Sequence, residues 1–145
     1  DWMLANPAIR YADVEEQYAL VHEGGGMVIH AHPYREEYYI PEVRPFPKWV
    51  DGVEGINATH SNSGSIAHND PAFDTKAIAY AREHHFPMTA GSDTHRAALF
   101  GGGVAFRRKI LSSADYIRAI LSGEDYLLTN GECWYRKDGK CLNED

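Results

Sequence analysis

The chain has 145 residues, 43% hydrophobic and 24% charged, with a formal net charge of -7. That describes one globular domain or a large piece of one, shorter than the roughly 200 residues a closed α/β barrel usually needs. The surplus of negative charge argues against bulk attraction to nucleic acid or acidic membranes, and no apolar run reaches the ~18 residues of a membrane span.

The opening DWMLANPAIR lacks the pattern of a signal peptide. Asp13 followed by Glu16 has capping-box spacing, and Val14, Tyr18 and Val21 then recur at helical intervals. Gly24, Gly25 and Gly26 end that helix. MVIHAH (27–32) is expected to be a buried strand stopped by Pro33, and the aromatic, proline-rich stretch 34–49 reads as loop. GVEGIN (52–57) is a short strand, followed by a polar loop, ATHSNSGSIAHND. Asp70 and Pro71 suit the N-cap and first turn of a helix running to about residue 85. PMTA (87–90) is another buried strand, from which Gly91 turns the chain outward. GGGVAF suggests a further strand, and Ser113 caps a helix carrying Ile117, Ile120 and Leu121 that Gly123 terminates. YLLT (126–129) is the last expected strand, and 131–145 reads as a polar C-terminal tail. Helices alternating with short apolar strands predict an α/β architecture with parallel strands. Cys133 and Cys141 are too close to make a disulfide framework, so reduced thiols and a cytoplasmic location are expected.

Two familiar chemistries do not fit. Gly24, Gly25 and Gly26 follow a helix and precede a strand, the reverse of a dinucleotide-binding loop. Ser92, Asp93 and His95 lie too close in sequence to form a triad, and AGSDT lacks the G-x-S-x-G elbow. In parallel α/β folds functional groups gather where strands finish. His32 ends one expected strand. Asp93 and His95 lie just past another, two residues apart, and point the same way in extended chain. Two imidazoles and a carboxylate suit Zn²⁺, Mn²⁺ or Fe²⁺, while polar strand ends satisfied by their neighbours are the competing reading. Asn57, at the end of its strand, is placed to orient water or substrate.

VIHAHPYR, the EGIN that follows, and then TAGSDTH with its glycine triplet resemble, in order, the later motifs of the PHP (polymerase and histidinol phosphatase) family. The resemblance covers about residues 15–130. It implies that 1–130 is the C-terminal part of a PHP-like α/β barrel domain: the later βα units of a distorted seven-stranded (β/α) barrel, incomplete in this chain. Up to three divalent ions (Zn, Mn or Fe) would sit at the strand carboxyl ends. His32, Asp93 and His95 would be metal ligands, Asp93 and His95 catalytic, and Arg35 a contact to phosphate. The implied function is hydrolysis of a phosphomonoester or phosphodiester by metal-activated water. The alternative is a non-catalytic or degenerate PHP-like domain that acts as a binding module.

The family's earlier motifs, an H-x-H first among them, are expected upstream of Asp1. The chain alone is therefore expected to have little or no activity, and either to keep a missing N-terminal half or to self-associate. His30 is read as a supporting residue one layer below His32, and His60 and His68 as surface loop histidines. His84 and His85 close a helix, Arg96 is a second candidate for phosphate, and Tyr34, Tyr38 and Tyr39 are expected to cover a barrel rim.

Overall fold

The computed structural model describes residues 2–95 and 101–142. A short helix α1 (Trp2–Ala5) and a 3-10 turn (Pro7–Tyr11) lead into α2 (Val14–Glu23). Asp13 caps α2 as its spacing predicts, its carboxylate accepting from Glu16 N at 2.9 Å. Gly25 then takes φ 73°, a left-handed turn that only glycine adopts freely. Strand β1 (Ile29–His30) is far shorter than the expected 27–32. The chain leaves extended geometry at His32, φ 33°, before Pro33 is reached.

Strands β2 (Gly52–Asn57) and β3 (Met88–Gly91) complete a sheet in the order β1-β2-β3, all parallel. Between them lie a short α3 (Ala58–Ser61) and α4 (Pro71–Glu83). Asp70 caps α4 by accepting from Ala72 N at 2.9 Å, and Pro71 fills the first turn, where its missing N–H is not needed. Phe73, Ala77, Tyr80 and Ala81 recur at helical spacing and form the buried face of α4.

The second sheet corrects the expectation of parallel strands throughout. β4 (Gly102–Phe106), β5 (Tyr126–Asn130) and β6 (Trp134–Arg136) pair antiparallel in that order, with α5 (Ser113–Leu121) between β4 and β5. The described residues thus form a mixed α/β structure of two small sheets and no closed barrel. Nor is 131–142 a loose tail. The Asn130-Gly131 and Asp138-Gly139 dipeptides supply the positive-φ residues of two tight turns, with Gly131 at 91° and Gly139 at 80°. Asn130 Oδ1 accepts from Glu132 N (3.0 Å) and Cys133 N (2.7 Å), which folds β6 back onto β5. The cap of α5 is Ser112, one residue before the expected Ser113, its Oγ accepting from Asp115 N at 3.1 Å.

Val53, Ile56 and Met88 from the first sheet share one core with Tyr126 and Leu128 from the second and Ile120 from α5. Burying a side chain such as Ile120 stabilises by about 1.5–3 kcal/mol. The Tyr126 hydroxyl donates to the Met88 carbonyl at 2.9 Å, joining the sheets. Burial, and then neighbouring Tyr116, push that phenol up to about 12, so it stays a donor. Where β3 meets β4 the backbones touch: a β-carbon on Gly102 would lie closer than 3.0 Å to the Gly91 carbonyl.

Around α5 the Arg108 guanidinium bridges Asp115 (2.8 and 2.9 Å) and Glu124 (2.6 and 2.9 Å). Among the described residues, no helix is long and apolar enough to cross a membrane.

Candidate functional site

Because β1, β2 and β3 run parallel, their carboxyl ends open on one side, and three chain segments meet there. Glu54 of β2 is the hub. Its Oε2 accepts from His32 N (2.8 Å) and Asn57 Nδ2 (3.1 Å) and lies 3.3 Å from His32 Nδ1. Its Oε1 rests over the α-carbon of Gly91, where any β-carbon would come closer than 3.0 Å. Glycine at 91 therefore makes room for the carboxylate that orients His32. Sequence reasoning missed Glu54, although a lone charge inside GVEGIN was the available signal.

A second group lies past β3. Arg35 Nη1 donates to Asp93 Oδ2 at 2.6 Å, and both side chains are only 13% exposed. His95 Nε2 sits 3.1 Å from Asp93 Oδ1, but the His95 side chain is 84% exposed. Among the described residues, Arg35 Nε is buried without a partner. His32 (φ 33°) and Asp93 (φ 46°), two of the expected ligands, both hold left-handed backbone, at a cost of about 1–2 kcal/mol for a non-glycine residue. Arg96 lies outside the described residues.

The structure thus links Arg35, Asp93 and His95 in one group and His32, Glu54 and Asn57 in another. Donor chemistry suits a divalent ion at each of His32 and Asp93. Among the described residues, however, no group of three or more His, Cys, Asp or Glu is placed to hold one ion. Arg35 supplies the physical reason at Asp93, since its guanidinium provides there the charge a cation would.

Behind the strand ends lies a buried polar layer. Asn57 does not face solvent: its Oδ1 caps α3 by accepting from Thr59 N (2.9 Å) and Thr59 Oγ1 (2.7 Å), and its Nδ2 serves Glu54. His60, expected on the surface, is 1% exposed, because α3 folds what reads as a polar loop back over the sheet. His60 Nδ1 is 2.8 Å from Asp74 Oδ1, while His60 Nε2 is buried with no partner among the described residues. Its ring stands edge-on to His32, with centroids 6.4 Å apart, and to Phe73 at 5.2 Å. Asp74 also accepts from Asn57 N (3.2 Å) and Ser61 Oγ (2.8 Å). His30 packs 6.3 Å from the Phe46 ring, and burial, then His32, lower its pKa, which keeps it neutral. His68 pairs with Glu37, and His84 stacks 5.6 Å from Phe86. Tyr34 packs on Tyr80, but Tyr38 is 97% exposed and covers no rim.

A family model described as PHP-associated matches residues 73–124, the stretch from α4 to just past α5 that carries Asp74, Asp93 and His95. The chain therefore has a C-terminal PHP-related portion, as the resemblance of its motifs implies. No curated protein and no solved structure matches the chain.

Proposed function

From the premise that 73–124 is PHP-related, we propose that this chain supplies part of the active site of a metal-dependent phosphoesterase, hydrolysing a phosphomonoester or phosphodiester. One observation carries the reading: His32, Glu54, Arg35 and Asp93 gather where three adjacent parallel strands finish. His32, Asp93 and His95 would hold zinc, manganese or iron, with further donors from outside these 145 residues, upstream or in a second copy. A divalent ion, when bound, neutralises charge on the phosphoryl oxygens and acidifies water.

The chain's own groups prepare that site. Glu54 takes the Nδ1 side of His32, which would leave Nε2 as the nitrogen for a ligand. Asn57 acts through Glu54, holding its carboxylate from behind. Arg35, pinned on Asp93, has a planar fork that can turn paired N–H groups to a phosphate.

The same Arg35–Asp93 pair favours a second reading, a non-catalytic PHP-like module, because it satisfies the carboxylate without an ion. The two separate on hydrolysis of p-nitrophenyl phosphate and bis-p-nitrophenyl phosphate with added Mn²⁺ by the full gene product. An enzyme is expected to show Mn²⁺-dependent turnover that drops about 100-fold or more in Asp93→Asn, with KM raised in Arg35→Met. Absence of turnover with retained binding of phosphate esters establishes the binding module instead.

A further inference from the structure

We propose that His60 is a second imidazole donor beside His32, and that the two Nε2 atoms together hold one first-row transition-metal ion such as Zn²⁺ or Co²⁺. The inference rests on the phosphoesterase reading for the role of His32, but that reading makes no use of His60.

His60 is buried, and its two ring nitrogens have unequal fates. Nδ1 faces the Asp74 carboxylate at 2.8 Å and so carries the proton, while Nε2 is buried with no hydrogen-bond partner among the described residues. Leaving such an atom unsatisfied in the interior is costly. An ion at Nε2 removes the penalty.

His32 repeats the arrangement, with Nδ1 on the Glu54 carboxylate at 3.3 Å. Histidines that bind metals almost always give their other N–H to a carboxylate or carbonyl, which fixes the tautomer and raises the basicity of the ligating nitrogen. Both carboxylates are held in turn from Asn57: Glu54 by its side-chain amide, Asp74 by its backbone N–H. One residue thus sets the position of both supporting groups.

The spacing is close to what a shared ion requires. With N–metal bonds of about 2.0–2.1 Å, two imidazoles on one tetrahedral ion have ring centroids about 5 Å apart. Here they are 6.4 Å apart at 75° between planes, so sharing one ion requires the rings to approach by about 1 Å with both Nε2 atoms turned to it. His60 is fixed by Asp74 and its burial. His32 is the more exposed partner: its side chain is a quarter exposed, and it lies in a left-handed bend whose backbone N–H Glu54 holds. Two Nε2 lone pairs, each behind an Nδ1 on a carboxylate, call for a cation rather than an anion. Its remaining positions are open to the Asp93 and His95 side chains of the phosphoesterase reading, to solvent or to a substrate oxygen.

The experiment is titration of the metal-stripped chain with Co²⁺ alone, read by visible absorption and equilibrium dialysis, for wild type, His60→Gln and Asp93→Asn. Co²⁺ affinity is expected to fall about 10-fold or more in His60→Gln, with a changed spectrum, as in losses of metal-site support generally. An unchanged affinity and spectrum in folded His60→Gln overturns the inference and leaves the phosphoesterase reading resting on His32 and Asp93. Loss of that reading shows separately, as Mn²⁺-dependent turnover indifferent to Asp93→Asn. Histidine-selective ¹⁵N spectra of the wild type need no variant to fold. Zn²⁺ is expected to shift Nε2 of both His32 and His60, and a shift at His32 alone, or at neither, overturns the inference.

Discussion

Asp74, 5% exposed, accepts from the backbone of Asn57 and from Ser61 and takes the proton side of His60. Asp74→Ala strands these donors in the interior, and the expected loss is about 3–5 kcal/mol, measured by urea unfolding beside the wild type. A loss below about 1 kcal/mol means that water reaches the layer and the network is not holding α3 to α4. Asp74 was open to discovery in the sequence, as the one carboxylate within the apolar stripe of Phe73, Ala77, Tyr80 and Ala81. His60 was not. Its partner is fourteen positions away on another helix, and its neighbours Thr59, Ser61 and Asn62 look like solvated loop. His32, Arg35 and Asp93 stand out in short motifs, but the Arg35–Asp93 pair spans 58 residues and depends on the path of an irregular proline-rich segment.

At the level of elements, α5 is held by a clamp whose strength depends on pH. Hydrogen bonds from Arg108 hold the Asp115 carboxyl well below the usual carboxylate range, and the same guanidinium lowers Glu124. Both groups bind fewer protons folded than unfolded near pH 4, so their contribution is complete above that range and fades as pH falls through the depressed values. The gap in unfolding midpoint between wild type and Arg108→Met is therefore expected to be widest at pH 5–7 and to shrink toward pH 2. A gap constant over that range rules the clamp out as a source of stability. Helix ends proved legible because caps are local: Asp13 and Asp70 act as read, and the α5 cap is displaced by one residue to Ser112. Strands were less so. The run 27–32 reads as a full strand, but only Ile29 and His30 find partners on β2. β6 went unread although Asn-Gly and Asp-Gly, the strongest short hairpin signals, flank it.

For the whole molecule, alternation of helix and strand identified the α/β class but not the direction of the strands. The passage from β4 through α5 to β5 has the residue pattern of a parallel crossover, yet the two strands lie side by side antiparallel. On its other side β4 meets β3, through the backbone contact between Gly91 and Gly102. The contact has a consequence for how the protein tolerates sequence drift. Both glycines are only partly buried, so burial alone ranks them as permissive positions. At 102 the obstacle to a side chain is the Gly91 and Ser92 backbone, which cannot turn aside, whereas at 91 it is the end of the Glu54 side chain, which can. A pooled substitution library sorted by protease resistance is expected to reject every replacement at 102 and to accept alanine at 91. The accepted Gly91→Ala chains should be folded but altered at His32, since Glu54 must swing away from it. Gly102→Ala surviving as well as wild type would show that the seam yields, and that two residues of neutral appearance carry no record of how the sheets were joined.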